Sequence, residues 1–160
     1  MKTKTLAING IIAALYVAVS LLIAPFTFGA VQFRIAEMFN HLIVFNKKYF
    51  FGIILGVIVT NMFSPTAAYD LTFGVAHSII TLSLTIFASK FIKEHVPRMT
   101  FNTLIFTFTM FIIAFELHLA YGFPFFYTWL TAAAGEFAVL ALGIPVINAL
   151  NKRLNFKALI

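Results

Sequence analysis

Four acidic side chains stand in or beside long apolar runs of this chain: Glu37, Asp70, Glu116 and Glu136. A carboxylate in apolar surroundings is costly, and it normally faces a cavity, a partner or a ligand. It can accept a forked pair of hydrogen bonds from adjacent N–H groups, and such charge-assisted bonds are strong. Arg34 is the one basic residue in the same company, and Asn40, His41, Asn61, His77 and His118 complete the polar set. These residue types suit a binding cup for a small polar molecule. They do not suit catalysis of a familiar kind. The chain lacks G-x-x-x-x-G-K-[ST], H-E-x-x-H and G-x-S-x-G motifs, which sets aside P-loop ATP hydrolysis and two common hydrolase designs. It has no cysteine, so thiolate metal sites, thiol nucleophiles and disulfides are out. No metal, cofactor or nucleic acid is expected.

A simpler reading applies to most of these residues. Arg34, Glu37, Asp70 and Glu116 would cost little at headgroup level, and an Arg34–Glu37 pair would fix a loop. His77 and His118 would serve as hydrogen-bonded packing residues. Glu136 fits this reading least, since it lies about 12 Å below the outer end of its apolar run at 1.5 Å per residue.

The elements that must position these groups are membrane spans. The chain is 62% hydrophobic and 10% charged, with a mean hydropathy of +1.01; an ordinary soluble domain carries roughly 25% charged residues. At about 20 residues per span, the 160 residues form a single transmembrane domain, 1–160. Apolar runs cover Leu6–Ala24, Phe33–Phe45, Tyr49–Phe63, Leu71–Ser89, Phe101–Tyr121 and Trp129–Leu150. Pro25 should end the first, because proline disfavours helix in the residue before it. If all six cross with the N-terminus inside, ten of the eleven lysines and arginines fall on the cytoplasmic side, as the positive-inside rule asks. The expected fold is therefore all-α, with six transmembrane helices and both termini cytoplasmic. The second run is short for a crossing, about 20 Å as α-helix.

Helical spacing refines the picture. Glu37, Asn40 and His41 (i, i+3, i+4) should share one face, as should Asp70 with His77 and Trp129 with Glu136; Glu116 and His118, two apart, point different ways. Gly10, Ala14 and Ala18 form a small-residue stripe, and Gly52 with Gly56 a second; such stripes let helices approach closely, within the chain or with a partner. Phe33, Tyr69, Tyr121, Tyr127 and Trp129 are placed either to stack on a flat ligand or to form an interfacial belt.

The string Val31-Gln32-Phe33-Arg34-Ile35-Ala36-Glu37, after a first helix ending Ala-Pro and a short Gly-containing loop, resembles the QueT family. The resemblance continues at Gly56–Ser64 with Asn61, at Tyr69-Asp70 through Gly74, at Phe115-Glu116-Leu117 and at Gly135-Glu136 through Gly143-Ile144-Pro145. QueT proteins are queuosine-precursor transporters, S components of energy-coupling-factor importers. The resemblance implies a 7-deazaguanine substrate such as preQ0 or preQ1, captured from outside at the plasma membrane. It implies partners: a transmembrane scaffold subunit and two cytoplasmic ATPases. Arg34, Glu37, Asn40, Asn61, Asp70, Glu116, Trp129 and Glu136 become the candidate substrate-binding residues, with Glu136 or Glu116 on the guanine edge and Arg34 and Glu37 closing the loop over it. Gly10, Ala14 and Ala18 become the docking stripe. Ala36 departs from the pattern, where serine is expected. Three other readings stay open: an S component for another vitamin-like molecule, an intramembrane enzyme using Glu and His, and a ligand-free structural subunit.

Overall fold

The computed structural model describes residues 2–28 and 32–160; Val31 and the glycine of the loop before it, Gly29, lie outside the described residues. Every regular element among those described is helical. α1 is Thr3–Leu22 and α2 is Tyr49–Asn61. α3 is Ala67–Ala88, α4 is His95–Tyr121 and α5 is Phe125–Leu154. A 3-10 helix, Ile35–Val44, lies between α1 and α2. α1, α3, α4 and α5 are long and apolar enough to cross a membrane; α2 and the 3-10 helix are apolar but shorter.

Polarity runs opposite to that of a water-soluble fold. Leu22 and Phe126 are 84% and 78% exposed, whereas Glu37, Asn40, His41, Asn61, Glu116 and Glu136 are each at most 1% exposed. Apolar side chains facing outward need lipid around them, and the polar ones find their partners within the bundle.

Element ends differ from the sequence expectation for local reasons. α1 stops at Leu22, and Pro25 then sits in the first turn of a short helix, Ala24–Thr27, where its missing N–H costs nothing. α4 starts at His95 rather than Phe101, since Pro97 falls in its first turn and is tolerated there. α5 starts at Phe125, directly after Pro124, and continues past Pro145 to Leu154.

Two close helix contacts set the frame. A Cβ on Gly56 would come within 2.7 Å of Tyr16 Cβ, and one on Gly52 within 2.6 Å of Asn9 Oδ1. The second glycine stripe is thus the packing surface of α2 against α1. Asn9 Oδ1 also accepts from the Gly52 N–H at 2.9 Å, satisfying one of the first-turn donors that α2 cannot satisfy itself. The stripe Gly10, Ala14 and Ala18 is on the opposite side of α1 and is exposed.

The 3-10 helix is the centre of the bundle, touching α1, α2, α3, α4 and α5. Ten residues of 3-10 helix are unusual, because its hydrogen bonds are poorer than those of an α-helix. Tertiary bonds hold it. His41 Nε2 lies 2.9 Å from the Leu140 carbonyl on α5, and Asn102 Nδ2 lies 3.2 Å from His41 Nδ1. Asn102 donates there, so Nε2 carries the ring proton and donates to Leu140. Gly143 leaves room for the contact: a Cβ would meet Met38 Cβ at 2.9 Å. At about 2 Å rise per residue, the tighter winding stretches ten residues to roughly 20 Å.

Candidate functional site

At the end of the bundle where α2 finishes and α3 begins, four carboxyl groups gather around one guanidinium. Arg34, at the entry to the 3-10 helix, is 3% exposed. Its Nε lies 3.6 Å from Glu37 Oε1, and its Nη2 donates to Asn61 Oδ1 at 3.4 Å. It also interacts electrostatically with Glu136 and Asp70. Each acid comes from a different element: Glu37 from the 3-10 helix, Asp70 from α3, Glu116 from α4 and Glu136 from α5.

Their local partners differ. Glu37 is held on both oxygens. Tyr16 donates to Oε1 at 2.8 Å, and Asn40 Nδ2 donates to Oε2. Asp70 Oδ2 accepts from Ser64 at 2.6 Å and from Thr66 at 2.7 Å. Glu116 faces Asp70, a carboxyl pair that hydrogen-bonds only by sharing one proton, while its Oε2 has no partner. Glu136 has no hydrogen-bond partner on either oxygen among the described residues, although it interacts electrostatically with Glu37 and Arg34. α5 begins four residues before Trp129, so Glu136 lies deeper than the sequence implied, about 16 Å along the axis from Phe125.

The backbone of α3 is adapted to the site. Asp70–Gly74 forms a π-helical turn, a feature frequent at functional sites. Asn61 Nδ2 donates to the Asp70 carbonyl at 3.0 Å, and Gly74 permits the approach, since a Cβ there would lie 2.8 Å from Asn61 Nδ2.

Several expectations about faces change. In a 3-10 helix residues three apart eclipse and residues four apart do not. Glu37 and Asn40 therefore stay together, whereas His41 turns to α4 and α5. Asp70 and His77 both lie on the buried side of α3. His77 Nε2 meets Thr109 Oγ1 at 2.9 Å, and its ring packs edge-on against Phe106. Trp129 is placed among Phe108, Phe111 and Phe125 and donates to the Phe108 carbonyl at 3.1 Å, which turns its ring and N–H to aromatic neighbours rather than to the acids. Exposed His118 braces the Phe123 carbonyl at 2.7 Å, just past the left-handed Gly122. Glu116 and His118 do diverge, one buried and one exposed. Tyr69, Tyr121 and Tyr127 are exposed.

Tyr16 is the site residue the sequence reasoning missed. The signal was there: Thr5, Asn9, Tyr16 and Ser20 fall at helical spacing and are all buried, so α1 turns a polar face inward. No group of three His, Asp or Glu side chains among the described residues is placed to hold a metal ion.

Residues 6–152 match the QueT transporter family. The chain belongs to that family. It is 33% identical to the queuosine precursor transporter QueT of Lactococcus lactis subsp. cremoris (strain MG1363), over 96% of each chain. No solved structure matches it. QueT proteins are transporters rather than enzymes, which sets the intramembrane-enzyme reading aside.

Proposed function

We propose that this QueT protein is the substrate-capturing subunit of an energy-coupling-factor importer, and that it takes a 7-deazaguanine queuosine precursor of the preQ0 or preQ1 kind. The observation that carries the reading is Glu136, a fully buried carboxylate with two unpartnered oxygens beside Arg34 and Glu37. A buried charge without hydrogen bonds is strongly unfavourable, so a group of this kind is retained for a partner that arrives. The guanine edge presents two adjacent N–H donors, at N1 and the 2-amino group, and one carboxylate accepts both. Arg34 and Asn61 supply donors for the exocyclic oxygen. Asn40 Oδ1 and Glu116 Oε2, also unpartnered, add acceptors around the ring. The likeness to a queuosine precursor transporter over 96% of each chain supports the substrate class.

In this reading all six helical segments cross the plasma membrane, with both termini in the cytoplasm. The 3-10 helix, enclosed by its neighbours, crosses without meeting much lipid. The chain has no nucleotide-binding loop, so two cytoplasmic ATPases and a transmembrane scaffold supply the drive. The exposed stripe Gly10, Ala14 and Ala18 is the face on which the scaffold docks.

Calorimetry on the detergent-purified chain, with preQ0, preQ1, queuine and guanine, tests the substrate. Tight binding of one deazaguanine, with guanine much weaker, is the expected result. Folded protein that binds none of them would overturn the substrate class.

A further inference from the structure

At the far end of the bundle from the acids, a cavity gathers cations. It has a volume of about 470 Å³, and its lining includes Lys47, Lys93, His95, Arg98 and Lys157. It is remote from the acids: Arg98 and Glu116 sit near opposite ends of α4, eighteen residues or about 27 Å apart along the axis. The four positive side chains come from three separate stretches of chain. Lys47 precedes α2, Lys93 and Arg98 flank the start of α4, and Lys157 follows α5. No acid is among the lining residues; Glu94, the neighbouring N-cap of α4, is exposed and outside it.

Arg98 is fixed in place. Its Nη2 donates to the Val44 carbonyl at the end of the 3-10 helix and lies 3.4 Å from His95 Nδ1. Its Nε is buried with no partner among the described residues. α4 has no side-chain cap, so its first-turn N–H groups and the positive end of its dipole add to the same field. Asn46, also on the lining, donates to the Ile160 carbonyl at 3.3 Å. Even a terminal carboxylate at Ile160 would leave the cations in excess.

The cavity does not stand alone. A second hollow, about 330 Å³, shares Lys47 and Ile86 with it and is otherwise lined by Lys48, Phe50, Phe51 and Ser83. A cationic pocket continuous with an aromatic groove on an outward face fits a molecule with an anionic head and an apolar tail.

We propose that this pair of cavities binds an anionic phospholipid, its phosphate among Lys47, Lys93, Arg98 and Lys157 and one acyl chain along Phe50 and Phe51. Basic pockets between helices at the membrane surface recognise phosphate head groups in this way. Four cations with no lining acid disfavour a zwitterionic head, whose ammonium would be repelled. A free phosphate would use the basic pocket and leave the aromatic groove empty, so the groove selects the lipid.

The test is native mass spectrometry of the purified chain, titrated with phosphatidylglycerol and with phosphatidylethanolamine of the same acyl chains. Inorganic phosphate serves as competitor. Phosphatidylglycerol should bind in preference, resist phosphate, and lose about 25-fold in affinity in Lys47→Ala/Lys93→Ala, at about fivefold per lysine. Both lysines are exposed, and a thermal melt confirms that the variant is folded. Phe51→Ala should weaken the lipid without creating phosphate binding. Equal binding of the two lipids overturns the proposal. So does displacement by millimolar phosphate, which would mark a free-anion site, and so does an unaltered affinity in the folded double variant.

Discussion

The Tyr16 hydroxyl donates to Glu37 Oε1 at 2.8 Å, across 21 residues of sequence. With Asn40 on the other oxygen, it leaves Glu37 engaged before any ligand arrives. On the proposed reading Glu37 belongs to the frame that aims Arg34, while Glu136 has neither oxygen engaged and Glu116 has one free. Tyr16→Phe removes one buried hydrogen bond, at about 1–3 kcal/mol for the group left behind. The thermal midpoint should fall modestly and substrate affinity by roughly tenfold, in calorimetry on the purified protein. A variant with full affinity would show that Glu37 needs no such support.

Glu136 should behave in the opposite sense. Replacing it by Gln removes a buried, unpartnered carboxylate, so the ligand-free protein should melt at the same temperature or higher. Substrate binding should drop by roughly 30-fold or more, the effect of losing one member of a buried charge-assisted pair, ~2–5 kcal/mol. Glu136→Gln with unchanged affinity would remove the residue from the site.

Around Arg34 stand four buried acids, Glu37, Asp70, Glu116 and Glu136, and even with one proton shared between Asp70 and Glu116 the acids outnumber the single cation among the described residues. A ligand bearing an ammonium group offsets that excess, and a neutral one does not. The aminomethyl precursor preQ1 should therefore bind at least roughly tenfold more tightly than uncharged preQ0, a difference of ~1.4 kcal/mol. Matched calorimetric titrations decide it, and equal affinities would rule the charge argument out.

The two small-residue stripes should separate under mutation. Gly56→Ala forces a Cβ to within 2.7 Å of Tyr16 Cβ and should cost about 1–3 kcal/mol, read as a lower melting temperature of the isolated chain. Gly10 has nothing within 4 Å of an added Cβ, so Gly10→Leu should leave that melt unchanged. Its effect should appear only in co-purification with a scaffold subunit. A normal yield of the assembled complex from Gly10→Leu would take the docking role away from this face.

His41→Ala should be a folding mutation and not a binding one. It leaves the Leu140 carbonyl and the Asn102 amide without their partner and opens a cavity, about 2–4 kcal/mol together. Material that stays folded should keep its substrate affinity within twofold, about 0.4 kcal/mol; a larger loss would place His41 in the site.

The sequence carried the helical segments, the inward gathering of the acids, and the special position of Glu136. These follow from hydropathy and spacing, which act over whole runs of residues. Winding did not follow. Nothing in Ile35–Val44 distinguishes ten residues of 3-10 helix from α-helix, because the choice is made by His41 reaching Leu140 and by Gly143 admitting Met38, both more than a hundred residues further along or nearly so. The face assignment of His41 fell with it, since it assumed 3.6 residues per turn. The packing of Trp129 was not legible for a different reason: the three phenylalanines that surround it come from two helices whose mutual rotation the sequence does not fix.

The contact between Asn9 and Gly52 has a consequence for how relatives of this chain can vary. A Cβ at position 52 would meet not only the Asn9 side chain but also its backbone, with the carbonyl oxygen at 2.8 Å and Cα at 3.0 Å. Shortening residue 9 therefore creates no room for a larger residue at 52. The dependence runs one way: position 9 is free to change wherever another acceptor takes the Gly52 N–H, while position 52 stays glycine whatever stands at 9. Among homologues, covariation between these two columns should be weak, and a non-glycine at 52 should mark a chain whose first and third helical segments have moved apart.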